Sequence, residues 1–181
     1  MKKIQLILIA SLFTLCSFAQ SYNVADAGSS VHFVIKNIGV KTGGDFTGLS
    51  GTVNFNPKAL ASSSMNVSVK SNTVNTSNGS RDKHLNKAEY FDTEKYPTIT
   101  FVSTKISEST VAGRYFVAGN LSIKGVTKPV QFGFSAAAAA GTAYVFAGEF
   151  EINRRDFGVG GNSMVLADKL KVSLSVTATK K

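Results

Sequence analysis

The sequence predicts an all-β protein: one closed, eight-stranded antiparallel barrel with a short helix between strands three and four. Three observations carry this expectation. Apolar and polar residues alternate with a period of two through eight segments, the pattern of strands with one buried face. Several segments run ten residues or more, and at about 3.3 Å per residue they reach roughly 30 Å, which favours a tall barrel over a compact sandwich. Short turns such as Lys124-Gly125 join most of them.

The first strand is expected at about 31–37, where Val31, Phe33 and Ile35 alternate with His32, Val34 and Lys36. The second, 46–55, sets Gly51, Val53 and Phe55 against Thr52 and Asn54. Met65, Val67 and Val69 mark the third at 64–70, and Ile99 and Phe101 the fourth at 98–106. Tyr115, Val117, Gly119, Leu121 and Ile123 share one face of the fifth, 111–123. Val130, Phe132 and Phe134 define the sixth at 127–135, and Tyr144, Phe146, Gly148, Phe150 and Ile152 the seventh at 142–152. Leu170, Val172, Leu174, Val176 and Ala178 complete the eighth at 169–178.

Two segments break this rhythm. Leu85, Ala88 and Phe91 recur at helical spacing within 80–91, behind a cap at Asn78 or Ser80, which predicts the short helix. The alanines of 136–140 have high helix propensity, but five residues between two strand patterns cannot sustain a helix, so a hairpin loop is expected there.

The 181-residue chain is sized for one domain and shows no linker. Residues 1–19 read as an export signal. Lys2 and Lys3 supply charge, 4–13 an apolar run, and Ser17-Phe18-Ala19 a small-x-small site before Gln20, so 20–181 would form the mature periplasmic domain. The apolar run is too short to cross a bilayer. Leu15 before Cys16 argues against lipidation, and cleavage after Ala19 would leave a mature chain without cysteine.

The formal charge of +9 falls to +7 when Lys2 and Lys3 are removed, and the remaining lysines are scattered, as at Lys36, Lys58, Lys70, Lys105 and Lys171. Dispersed lysines fit solvated strand faces and edges that resist aggregation, not a nucleic-acid site, and leave room for weak attraction to an anionic membrane surface. A homodimer is compatible with the same surface.

Groups for catalysis are scarce. The chain has two histidines and no HxxxH or CxxC spacing, which argues against a zinc site and leaves no metal residues to name. His32 alternates outward into solvent, and the serines at 62–64 lack a nucleophile-elbow context. Glu149 and Glu151 lie on the face opposite Phe150 and Ile152, as a solvated strand face requires. No catalytic residue, enzyme activity or required cofactor is expected.

The inward face is more informative, because it mixes aromatics with Gly51, Gly119 and Gly148. An eight-stranded barrel is just wide enough to be filled by side chains or to hold one small ligand. Missing side-chain volume points to a cavity, while sheet bending at barrel corners accounts for the same glycines.

Three strings then carry a resemblance. Arg81-Asp82-x-His84-Leu85 precedes Tyr90-Phe91-Asp92-x-x-x-Tyr96-Pro97-x-Ile99-x-Phe101-x-Ser103. Gly119-Asn120-Leu121-Ser122-Ile123-Lys124-Gly125-Val126-Thr127-Lys128-Pro129-Val130 follows, and then Ile152-Asn153-Arg154-x-Asp156-Phe157-Gly158. In this order they resemble the YceI-like polyisoprenoid-binding family, from about Tyr22 to Ala178. The resemblance implies a lipocalin-like barrel, a periplasmic location, a long isoprenoid or fatty chain as ligand, and no catalysis; an enzyme acting on a lipid or quinone held in the same barrel, and a secreted structural β-domain with a filled core, are the alternative readings. It also departs from the family, with Ser29 and Asn37 where members often carry histidine, so recognition of a polar head would differ here.

Phe33, Ile35, Val53, Phe55, Val67, Phe101, Gly119, Leu121, Phe132, Phe146, Gly148, Phe150 and Leu174 are therefore the expected apolar tunnel. Burying hydrocarbon is worth roughly 0.8 kcal/mol per methylene, so a chain of about sixteen carbons gains on the order of 13 kcal/mol before entropic losses. Arg81, His84, Arg154 and Asp156 form either a head-group site at the mouth or, with Asp82, a salt-bridged clasp between helix and barrel.

Overall fold

The computed structural model describes residues 19–181. All of the expected export signal except Ala19 lies outside the described residues. Nine strand segments form the sheet: β1 (Gln20–Asn37), β2 (Val40–Phe46), β3 (Ser50–Phe55), β4 (Ser64–Lys70), β5 (Thr98–Glu108), β6 (Arg114–Ile123), β7 (Val126–Ala138), β8 (Ala143–Asn153) and β9 (Leu166–Lys180). Helix α1 (Gly79–Leu85) lies between β4 and β5.

Each strand pairs antiparallel with its neighbours, and β1 pairs with β9 to close the ring. β2 and β3 both run antiparallel to β1, pairing respectively with its residues 31–37 and 20–23. They occupy one strand position broken at 47–49, so the barrel has eight positions and α1 falls between the third and fourth.

The first strand starts earlier than alternation suggests, at Gln20 rather than near 31. Small and polar residues at 25–30 hide it, because the pairing with β9 slips between Ala25 and Ser30. The slip is held by Ser29, whose Oγ donates to the Ala25 carbonyl at 2.5 Å and accepts from Thr177 N at 2.9 Å. Asp26 satisfies the facing break in the next strand by accepting from Leu49 N at 2.7 Å. Ser29 thus has a structural task.

Two other local expectations are corrected. The alanine run is strand as far as Ala138, because 136–138 pair with Phe146, Val145 and Tyr144, Ala136 packs against the core, and small residues take the conformation that ladder imposes. The helix ends at Leu85, before Ala88. Asn78 caps its start by accepting from Arg81 N, and beyond Asn86 the chain turns so that Phe91 N donates to the Leu85 carbonyl. Lys124-Gly125 and Ile38-Gly39 are two-residue hairpins with positive φ at both positions, the type I′ geometry that matches strand twist.

Strand direction sorts the loops onto two ends. The β3–β4, β5–β6 and β7–β8 connections share one end with the start of β1 and the end of β9. There the barrel is filled: the Phe55 ring lies 5.2–6.4 Å from those of Tyr115, Phe134, Tyr144 and Phe146 in edge contacts. Val53, Val117 and Ala178 are buried beside them. The other end gathers the β1–β2 turn, the α1 connection, the β6–β7 turn and the β8–β9 loop.

Candidate functional site

At this second end the barrel is hollow. A cavity of about 780 Å³ opens there, within the usual size of a small-molecule site. Alternation sends Phe33 and Ile35 of β1, Val67 of β4, Phe101 of β5 and Leu121 of β6 into it. Phe132, Phe150 and Leu174 complete the part of the wall expected from sequence. Phe132 stacks on Phe150 with centroids 4.5 Å apart and leans on Phe101 at 5.7 Å, giving one aromatic wall.

The remaining expected tunnel residues lie elsewhere. Val53, Phe55 and Phe146 belong to the filled end. Gly119 and Gly148 are outside the lining, and neither marks empty space. A Cβ on Gly119 would sit 2.6 Å from the Val102 carbonyl oxygen and from the Phe101 ring, and one on Gly148 would sit 3.0 Å from the Gly133 carbonyl oxygen. These glycines allow close approach of neighbouring groups.

The loops add lining residues that period-two reasoning missed: Tyr90, Phe91, Phe157, Val159 and Val165. Tyr90 and Phe91 belong to the Tyr90-Phe91-Asp92 string and Phe157 to the Asp156-Phe157-Gly158 string, but only folding of the connections at the mouth brings them to the cavity. Leu170 and Val172 also line it, and their alternation on β9 was visible.

The polar residues fall into different situations. Arg154 is 4% exposed and is the one buried charged side chain among the described residues. Its guanidinium donates to the carbonyls of Ala167, Val159, Gly161 and Leu166, and to Asp168 Oδ1 at 3.0 Å. It therefore straps the β8–β9 loop to the rim, with Asp168 as its acidic partner. Asp156 is exposed and outside the cavity lining.

Arg81 lines the mouth and clasps Thr76, donating from Nε to Oγ1 at 2.7 Å and from Nη2 to the carbonyl at 2.8 Å. Asp82 holds the same threonine by accepting from its N and Oγ1. His84, half-exposed, meets Tyr90 edge-on at 4.9 Å and lies 3.7 Å from Glu89. His32 is solvent-accessible as expected, and its ring pairs with the exposed Asp45 across the β1–β2 ladder at 2.7 Å.

Lys124 stitches the rim, donating from Nζ to the carbonyls of Glu89 and Gly158. Among the described residues no group of three His, Cys, Asp or Glu side chains is placed to hold a metal ion. The arrangement suits enclosure of an apolar body with polar contacts at its outer end.

Fold and cavity together define a lipocalin-like barrel, filled at its base and open at its top. The chain belongs to the YceI-like domain family, which matches residues 22–178. It is 37% identical over 102 residues to a UPF0312 protein of Pectobacterium atrosepticum, covering 56% of this chain and 52% of that protein. It is 35% identical over 127 residues to the protein YceI of Salmonella arizonae, covering 68% and 65%. The chain thus spans between half and two thirds of these relatives.

Among solved structures, BcnA of Burkholderia cenocepacia superposes with a TM-score of 0.81 at 29% identity, over 86% of this chain and 99% of that one. A polyisoprenoid-binding domain from Saccharophagus degradans, implicated in plant cell wall breakdown, shares the fold at a TM-score of 0.72 and 17% identity, over 90% and 99%.

Proposed function

We propose that the protein binds one long-chain lipid, a polyisoprenoid or isoprenoid quinone, in the open half of the barrel, for carriage or storage in the periplasm. The observation that carries this reading is the apolar cavity above an aromatic floor. A chain entering the mouth exchanges water for Phe101, Phe132, Phe150 and the aliphatic residues of β1 and β9. The polyisoprenoid-binding domain of Saccharophagus degradans supports the ligand class.

The polar end of such a lipid would meet Arg81, His84, Asn78 and Asn37 at the mouth. Arg154 is a poor head-group ligand, because its donors are committed to the β8–β9 loop and Asp168. Binding needs no cofactor and no catalytic group.

Solvent extraction and mass spectrometry of protein gently purified from its natural host test the reading. A stoichiometric long-chain isoprenoid is expected. Protein that emerges without lipid would favour a structural secreted domain.

A further inference from the structure

The open rim carries an apolar tip that the cavity does not explain. Ile38 is 75% exposed, Val40 67% and Val165 53%, and Met164 is fully exposed. They form one surface, because Ile38 N donates to the Val165 carbonyl at 2.8 Å and so joins the β1–β2 turn to the β8–β9 loop. Val165 also lines the cavity, which makes this surface continuous with the mouth.

Ile38 is unexpected on local grounds. It sits at φ 51°, where a β-branched side chain is disfavoured and asparagine or glycine is the usual choice for a type I′ turn. An isoleucine kept in that conformation and pointed at solvent lacks a role in folding.

Charge selects the occupant. Lys36 and Lys41 face each other across the β1–β2 hairpin just behind the tip, and Lys169 on β9 is likewise exposed. None of the three has an ion pair among the described residues, and Asp168, the acid in the groove that Lys36, Met164 and Val165 also line, is engaged by Arg154 and Arg155. Apolar residues ringed by free cations suit an anionic bilayer surface.

We propose that this tip docks the barrel on anionic phospholipid bilayers, mouth toward the membrane, so that a lipid chain passes between bilayer and cavity without crossing water. The inference rests on the lipid-binding reading of the cavity and adds the surface from which the lipid is exchanged.

Flotation with vesicles of phosphatidylcholine alone, or with one quarter phosphatidylglycerol, tests it. The parent is expected to float with the anionic vesicles and to release in high salt. Lys36→Gln and Lys41→Gln should each weaken that binding about fivefold, the effect of one cation near an anionic surface. Ile38→Asn combined with Met164→Asn should abolish flotation, and because asparagine suits the turn, the variant should melt no lower than the parent.

Equal flotation of that folded variant, or no flotation of the parent, overturns the proposal. So does a concentration-dependent dimer broken by Ile38→Asn, which would assign the tip to a second copy. Lipid extracted from a parent protein that does not float would defeat docking alone. A floating parent that carries no lipid would defeat the cavity reading and leave docking standing.

Discussion

Arg154 shows what residue-scale reading captures and what it misses. The motif around it is plain in the sequence, yet its partner Asp168 and the carbonyls it binds come from a loop that no periodicity constrains. Asp156, two residues away, was the nearer candidate and is exposed instead. Arg154→Ala would leave the buried Val159 carbonyl and the part-buried carbonyls of Gly161, Leu166 and Ala167 without their donor, and Asp168 with Arg155 alone, so a loss of about 3 kcal/mol is expected in urea unfolding. An unchanged midpoint would contradict the strap. On the outer face, Lys171 and then Ser173 hold the Glu149 carboxyl below the usual carboxylate range. Its contribution is present above the ordinary carboxylate pKa and fades as pH falls through the lowered one. Because the pair is exposed, Glu149→Gln should barely move Tm at neutral pH, while slightly flattening the acid limb of the Tm–pH curve at low salt.

At the scale of elements, alternation revealed most strands, since one face of each is buried. It failed where the chain is small and polar, at 20–30, and where one strand position is broken at 47–49. Nor does alternation say which inward residues fill the barrel and which line a void. Phe146 and Phe150 share a face of β8, yet one packs on Phe55 and the other lines the cavity. The glycines follow the same logic. Gly119→Ala drives a Cβ onto the Val102 carbonyl oxygen and should cost about 1–3 kcal/mol, whereas Gly148→Ala, with its nearest contact at 3.0 Å, should cost less. Denaturant melts of the two variants check the order, and equal stabilities would show that β5 and β6 can separate at no cost.

For the whole molecule, the division into a filled base and a hollow top ties fold to function. The aromatic base supplies packing that needs no ligand, which frees the upper strands to enclose a cavity. The fold class, the helix position and much of the upper wall were legible from alternation and motifs. The contribution of the 71–97 and 154–165 connections to the cavity lining was not, because it depends on long-range contacts such as the edge-on Phe46–Phe91 pair. A bound lipid should also raise Tm, since it stabilises only the folded barrel.

The central claim is that a chain occupies the upper cavity, and native mass spectrometry of the parent beside Leu170→Trp tests it most directly. Leu170 faces the void from β9, so an indole there should occupy ligand space and leave the base intact. The account predicts one long-chain lipid per parent chain and a folded variant without it. A parent from its own host that flies bare, or a variant that retains the same lipid at full occupancy, would contradict it.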